Sequence, residues 1–363
     1  MTLFDRIADL PFGIESYSLE SHELIYSGQF TRLSTVICLA GAGQVGRGED
    51  TSYSKRDQER LRSVGPVLDL VGNHTLRSFS SHLESLELWP EEPEHPMYFD
   101  YRRWAYESAA LELALAQTGV SLAELLGREQ RRPLFVVSTA LGAPPSTARL
   151  RELLEFDSRL RFKLDTSNDW DEAFIAELRE LDRVDVIDFK GAYSGTTVDQ
   201  KADPALYARV IAGLPDAHLE DPHSEPEICE LLADSWDRVC WDAPIHSAAD
   251  VREIDPAPKL LNIKPSRCGT LRKYLELIDY CEAEGISMYG GGQFELADGR
   301  RTIQMLAGLF HPDGPNDIAP VQFNRVKLER PVDDEELTYP DARATSRAGR
   351  SSRTSPPSGR SSG

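Results

Sequence analysis

Hydrophobic and polar positions change rhythm twice along the chain. Residues 12–50 alternate and turn, through FGIESYSLE and QFTRLSTVICLA to a glycine-rich turn, which predicts β structure. Residues 98–127 space apolar side chains three and four apart, through WAYESAALELALA and SLAELLG, which predicts helices. From Pro133 to about residue 325 short apolar runs recur: RPLFVVS, LRFKLD, VDVIDFK, DAHLED, RVCWD, KLLNIK, ISMYGG and DIAPVQF. Amphipathic stretches separate them and carry helix start signals. Asp203 precedes Pro204 as an N-cap before a first-turn proline, and Ser247 with Asp250 forms a relative of the capping box. Strands alternating with helices predict parallel βαβ units. About eight of them in roughly 200 residues match a TIM-like barrel, with a doubly wound open sheet as the other arrangement.

From Pro331 the sequence reads PVDDEELTYPDARATSRAGRSSRTSPPSGRSSG, with almost no apolar residues. Such a segment cannot bury enough surface to offset its ordering entropy, so 328–363 is expected to be a disordered tail. The expected division is an N-terminal α+β domain over 1–132, a barrel over 133–327, and that tail.

Composition narrows the class. The chain of 363 residues has 40 Lys and Arg against 60 Asp and Glu, a formal charge of −20. Such a surplus repels phosphate backbones and anionic headgroups, so neither nucleic acid nor a membrane is an expected partner. No apolar run reaches the ~18–20 residues of a membrane span, and MTLFDRIADLPFG lacks a signal-peptide profile. Cysteines 38, 229, 240, 268 and 281 are odd in number, scattered and never spaced CxxC, as in a reducing compartment. A cytoplasmic setting is the expectation.

One motif points elsewhere. Gly41, Gly43 and Gly46 in STVICLAGAGQVG match the GxGxxG of dinucleotide-binding folds, which would make the protein an NAD-dependent oxidoreductase. That fingerprint requires a helix opening at the third glycine. RGEDTSYSKRDQER follows instead, with no apolar helical period, so a hairpin turn is the better reading.

Barrel chemistry sits at the C-terminal ends of strands. The ionisable residues there are Lys163 with Asp165, Asp188 with Lys190, Glu220 with Asp221, Asp242, Lys264, and the loop Gly290–Glu295. The steps 163→188→220→242→264 are 25, 32, 22 and 22 residues, one βα unit each. One mouth would thus present Lys, Asp, Glu, Asp and Lys in turn. Three neighbouring carboxylates suit a hard divalent cation, Mg²⁺ above all, because without it they would repel one another. The flanking lysines would serve as acid and base. Any one such carboxylate could equally be a helix cap; the ordered set is what carries the reading. His223 and His246 fall just beyond two strand ends and read as loop residues near the mouth.

These motifs, in this order, resemble the enolase superfamily, specifically its mandelate racemase/muconate-lactonizing-enzyme branch, over about residues 1–325. RFKLD stands for the Lys-x-Lys strand, VDVIDFKG for the Asp strand, HLEDP for the Glu strand, CWDAPIHSAADV for the Asp-Glu strand and NIKPSRCGTL for the Lys strand; SMYGGGQFELADGR matches the seventh-strand loop. The resemblance implies a modified TIM barrel, (β/α)7β, with an N-terminal α+β capping domain. It also implies Mg²⁺ on Asp188, Glu220 and Asp242, and removal of a proton α to a carboxylate to give an ene-diolate. Elimination (dehydration) or isomerisation of a small carboxylic acid would follow, with Glu295 contacting the substrate. The second lysine of Lys-x-Lys is here Asp165, and Ala243 replaces the glutamate of the Asp-Glu pair. Asp165 is expected to pair with Lys163. Lys190, two residues after Asp188 and by strand alternation on its side, or Asp165 itself, is the candidate for the missing acid/base role opposite Lys264. A degenerate protein that binds metal and a carboxylate with little turnover is the alternative. Specificity would reside near Tyr17–Gln29, Gln44–Tyr53 and Gln322. A homo-oligomer is compatible with a barrel of this size.

Overall fold

The computed structural model describes residues 1–27, 30–193 and 200–324. The expected tail at 328–363 lies outside the described residues.

The N-terminal cap contains α1 (Leu3–Ile7), β1 (Pro11–Ile14), β2 (Ser16–Ser27), β3 (Phe30–Gly41), β4 (Gln44–Asp50), α2 (Lys55–Val64), β5 (Gly72–Thr75), α3 (Leu76–Glu84), α4 (Tyr98–Thr118) and α5 (Leu122–Leu126). β2, β3 and β4 form an antiparallel meander, and β1 pairs antiparallel with β5. The GxGxxG segment is the β3–β4 hairpin, turning through Ala42 and Gly43 at φ 51° and 72°. No helix opens at Gly46, so the dinucleotide context is absent. Its glycines serve packing instead. A Cβ on Gly46 would stand 2.1 Å from the Ala109 carbonyl, and one on Gly48 would stand 1.9 Å from that of Ala105, so both let α4 lie directly on β4.

The barrel follows as β6 (Val137–Ala140), α6 (Ala148–Phe156), β7 (Phe162–Asp165), α7 (Glu172–Leu181), β8 (Val184–Asp188), α8 (Pro204–Gly213), β9 (His218–Glu220), α9 (Pro226–Leu232), β10 (Val239–Cys240), α10 (Ala248–Glu253), β11 (Leu260–Ile263), α11 (Pro265–Cys268), α12 (Leu271–Glu284), β12 (Ser287–Gly290) and α13 (Asp298–Phe310). The start signals perform as expected. Asp203 caps α8 with Pro204 in its first turn, and Ser247 caps α10 while donating 2.8 Å to Asp250.

β6 to β10 form one parallel sheet in sequence order, and β11 pairs parallel with β12. Single bridges complete the ring: Trp241 to Leu261, Gly291 to Asp317, and Phe135 to Asn316. The result is a closed (β/α)7β barrel. DIAPVQF is shorter as a strand than its apolar run predicts. Asp317 bridges, Pro320 has no N–H for a ladder, and Val321–Asn324 turns as a 3-10 helix. The side chain of Asn316 does much of the eighth strand's bonding. Its amide donates to the carbonyls of Leu134, His311 and Gly314, and its Oδ1 accepts from Gly290 N at 2.6 Å.

Inside the ring, Val186, Cys240, Leu260 and Tyr289 fill the interior beneath the mouth. Outside, cap residues such as Trp104 and Leu113 share one apolar cluster with Leu261, Tyr274 and Leu277 of β11 and α12, which fastens the cap to that side of the barrel.

Candidate active site at the barrel mouth

Alternation along each strand sends one side chain outward to the helices and the next inward. On β7, Phe162 and Leu164 join the outer core, whereas Lys163 points inward and is buried. Asp188 and Glu220 end β8 and β9, and Asp242 follows β10 just after the Trp241 bridge, each fully buried. Lys264 follows β11, the strand opposite β7 on an eight-membered ring. The ordered strand ends therefore meet at one mouth.

Their pairing differs in part from expectation. Lys163 does not pair with Asp165. Its Nζ contacts Glu220, lies 3.2 Å from Asp188 Oδ2 and 3.6 Å from Asp317 Oδ2. Asp165 sits at the rim and pairs with Lys190 at 3.1 Å. Lys190 reaches Asp188, but not by strand alternation: β8 has ended, and Lys190 is left-handed at φ 58°. Its backbone N–H donates to Asp188 Oδ1 at 3.1 Å, and its ammonium curls back to Oδ2 of the same carboxylate. Asp242 is held between Lys264 Nζ at 2.9 Å and Arg267 Nη1 at 2.6 Å.

The sequence reading missed Arg267, yet the signal was present. Pro265–Cys268 is a single helical turn, so a residue three after Lys264 returns to the same side. Arg267 also donates to Tyr193 Oη at 3.0 Å. Asp221 is left-handed at φ 44° and accepts the N–H groups of Asp242 at 2.7 Å and Ala243 at 2.9 Å. A carboxylate thus stands beside the main chain of Asp242 and Ala243. Tyr289 donates to Glu220 from inside the barrel, and Cys240 Sγ lies 3.0 Å from that phenol. Neither contact was legible as site chemistry.

Electrostatics follow from these partners. Burial opposes charge on Lys163, but Glu220 and Asp188 overcome it and hold the ammonium well above its usual pKa. Burial also opposes charge on Lys190, and Asp188 with Asp165 raises it likewise. Burial would raise Asp188, yet Lys190 and Lys163 bring it down to about 2. Asp242 is held well below the carboxylate range by Arg267 and Lys264, against burial. The cost of crowding these carboxylates falls on Glu220, whose charge is the least favoured: burial pushes it up to about 8, with Lys163 opposing and Asp188 and Asp242 adding to the rise.

Asp188, Glu220 and Asp221 each place a carboxylate oxygen within 4.8 Å of the others, so the donor set fits a hard, oxygen-preferring divalent cation. The residues suit Mg²⁺ by type, charge and spacing.

The seventh-strand loop closes one side. Gly291 has no room for a side chain: a Cβ would stand 2.6 Å from Asn262 Oδ1 and 2.7 Å from Lys264 Cε. Glu295 is 2% exposed; its Oε1 accepts Gln293 N–H at 2.7 Å, whereas Oε2 has no hydrogen-bond partner and lies 3.8 Å from Arg300. Phe294, just before it, is left-handed at φ 57°. Lys190, Asp221 and Phe294 concentrate unfavourable backbone at this mouth, as functional sites commonly do. Tyr53 of the cap lies beside the same loop's anchor, with the Arg32 guanidinium 4.2 Å over its ring.

The suggested specificity segments are mostly strand. Tyr17–Ser27 lies in β2 and Gln44–Asp50 in β4, while residues 28–29 are outside the described residues; Gln322 lies in the final 3-10 turn. Of those segments, Glu49 contacts the seventh-strand loop directly and Tyr53 stacks on Arg32 beside it. His223 is engaged structurally, with Tyr207 Oη at 2.9 Å and the Gln200 carbonyl at 2.6 Å, and His246 lies 3.8 Å from Asp100.

Comparison with known proteins adds a family. The family described as Domain of unknown function (DUF8230) matches with its N-terminal domain over residues 5–125 and its C-terminal domain over residues 130–325. The o-succinylbenzoate synthase of Bacillus subtilis (strain 168) is 26% identical over 226 residues, which is 59% of this chain and 57% of that protein. That of Geobacillus stearothermophilus is 26% identical over 222 residues, 59% of this chain and 58% of that protein. The chain therefore spans less than two thirds of the length of the curated relatives it matches. Among solved structures, a dipeptide epimerase from Enterococcus faecalis V583 aligns at TM-score 0.64 and 16% identity, over 87% of this chain and 92% of that one. Muconate cycloisomerase from Pseudomonas fluorescens aligns at TM-score 0.62 and 20% identity, over 89% and 90%.

Proposed function

The chain belongs to the DUF8230 family and has the fold of the enolase superfamily, and from that premise we propose that it is a Mg²⁺-dependent lyase or isomerase of a small carboxylic acid. The observation that carries the reading is the ring of strand ends, with buried carboxylates at its centre and Lys264 opposite Lys163. Asp188 and Glu220, which share one cluster with Asp221, would hold the ion together with Asp242 of the next strand end, while Asp221 fixes the main chain of Asp242 and Ala243. A bound Mg²⁺ supplies the positive charge that lowers the cost of adding negative charge to a carboxylate.

The protein's own groups do the rest. Lys264 Nζ takes the proton α to the substrate carboxylate. Lys190 Nζ, kept as an ammonium by Asp188 and Asp165, donates a proton to a leaving group or to the opposite face of the α-carbon. The Asp165–Lys190 pair thus replaces the second lysine of the Lys-x-Lys strand. Lys163, deeper and surrounded by carboxylates, balances their charge. Glu295, whose Oε2 accepts no hydrogen bond and lies 3.8 Å from Arg300, would accept one from a substrate polar group.

The test is incubation with Mg²⁺ and a panel of carboxylic acids that carry an α-proton, in D2O. Deuterium at the α-carbon, or loss of water, is expected, and Lys264→Ala should slow it at least ~100-fold. Metal binding with no deuteration of any acid would favour a second reading, a binding protein with little turnover, which the Asp165 replacement motivates.

A further inference from the structure

We propose that Arg32 and Glu49 of the cap are positioning residues that hold the seventh-strand loop, and through Phe294 aim Glu295 at the mouth; Glu295's role there rests on the proposed function. Arg32 leaves β3 fully buried, and all five of its N–H groups are spent on main-chain carbonyls. Nε donates to Phe294 at 3.2 Å, Nη1 to Leu33 at 3.1 Å and Ser52 at 2.9 Å, and Nη2 to Thr51 at 2.7 Å and Gln293 at 2.9 Å. No donor remains for a substrate. The planar guanidinium therefore ties two cap carbonyls after β4 to two carbonyls of the loop.

Glu49, on the neighbouring strand β4 and equally buried, holds the other half of the loop by the opposite polarity. Its carboxylate accepts the N–H of Leu296 at 2.6 Å, Ala297 at 2.9 Å and Gly299 at 3.1 Å, and the Ser34 hydroxyl at 2.5 Å. These are free donors at the start of α13, whose own N-cap residue, Ala297, has no side-chain oxygen to offer. Gly299 is required for the approach, since a Cβ there would stand 2.8 Å from Glu49 Cβ and 2.9 Å from Glu295 Cγ.

Between the two grips lies Phe294, a bulky residue at φ 57°, followed by Glu295. A left-handed phenylalanine persists only where its surroundings impose it. Here the carbonyls of residues 293 and 294 are pulled one way by Arg32, and the N–H groups of 296 and 297 another way by Glu49. Released from either grip, the loop would relax toward φ < 0 and carry Glu295 out of place. The cap thus does more than cover the site; it sets the backbone of a barrel loop.

The test uses the full chain with Mg²⁺ and follows amide hydrogen exchange over residues 293–299, with α7 as a remote reference. Glu49→Gln and Arg32→Lys should each speed exchange in this loop at least tenfold while leaving α7 unchanged. Adding Phe294→Asn to Arg32→Lys should restore at least half of the lost protection, because asparagine tolerates φ > 0 and needs less restraint. A loop unaffected by both single variants, or no recovery from Phe294→Asn, overturns the proposal. For the acid that the wild type deuterates, both single variants should lower kcat about tenfold with KM changed less than threefold; a loosened loop with unchanged kcat also overturns it. If the wild type deuterates nothing, the proposed function fails, and the exchange data still decide whether the two residues hold the loop.

Discussion

Lys163→Met removes one buried positive charge from the floor of the site and should change stability and metal affinity in opposite directions. The ammonium contacts Glu220 and lies 3.2 Å from Asp188 and 3.6 Å from Asp317, so its loss leaves buried carboxylates uncompensated. At an effective dielectric of about 20, one pair at roughly 4 Å is worth about 4 kcal/mol, and breaking a buried pair typically costs about 3–5 kcal/mol. At roughly 2–4 °C per kcal/mol, the midpoint of thermal unfolding in EDTA should fall by about 10 °C. Mg²⁺ faces the opposite change. In the wild type it competes with Lys163 for Glu220 and Asp188; in the variant that competitor is gone. Affinity should rise at least tenfold, or about 1.4 kcal/mol. Mg²⁺ at 100 times its Kd would then return about 2.7 kcal/mol and recover much of the lost stability. Thermal unfolding in EDTA and in graded Mg²⁺, with calorimetric titration, measures both quantities. A variant that is destabilised and also binds Mg²⁺ more weakly would refute the competition, and with it the placement of the ion on these two carboxylates.

Three further outcomes follow from the same structure. Asp242→Asn should weaken Mg²⁺ binding at least tenfold by calorimetry, and Asp221→Asn less, because Asp221 is committed to two backbone N–H groups; the reverse order would make Asp221 the ligand. Burial lowers the pKa of His311 from 6.5 to about 4, while its bond to Asn316 works the other way. The unfolded chain therefore binds this proton first. Its contribution, roughly 3 kcal/mol, is complete above pH 6.5 and lost as pH falls toward 4, an acid slope that His311→Gln should flatten in chemical denaturation curves. Gly48→Ala should destabilise the cap by about 3 kcal/mol or more, since its Cβ would stand 1.9 Å from a helical carbonyl; an unchanged midpoint in urea would contradict the close approach of α4 to β4.

The barrel was legible in the sequence because its signals are local. A strand ending in an ionisable residue, followed by a capped amphipathic helix, can be read one unit at a time, as Asp203–Pro204 and Ser247–Asp250 demonstrate. The ring of Lys163, Asp188, Glu220, Asp242 and Lys264 followed from counting units. Partner choice was not legible, because it is decided across strands. Lys163 chose Glu220 and Asp188 over Asp165, which is two residues away but further out along the strand. Lys190 reached Asp188 through a left-handed turn that no alternation rule contains. The roles of Arg32 and Glu49 depend on contacts with residues some 250 positions later, for which a single sequence offers no period or spacing.

Asn316 has a consequence for how such a barrel is closed. Closure of most barrels depends on a last strand long enough to make a ladder on both sides. Here one carboxamide bonds Leu134 on one side and Gly290 on the other, and fixes its own connection through His311 and Gly314, all at a single point. The ring is closed by two main-chain bridges, at Asn316 and Asp317, which this one side chain reinforces on both sides. The stretch after Asp317 accordingly serves the cylinder by packing, with Ile318, Ala319 and Phe323 buried in its core, and its ladder role is left to those bridges and a single side chain's reach.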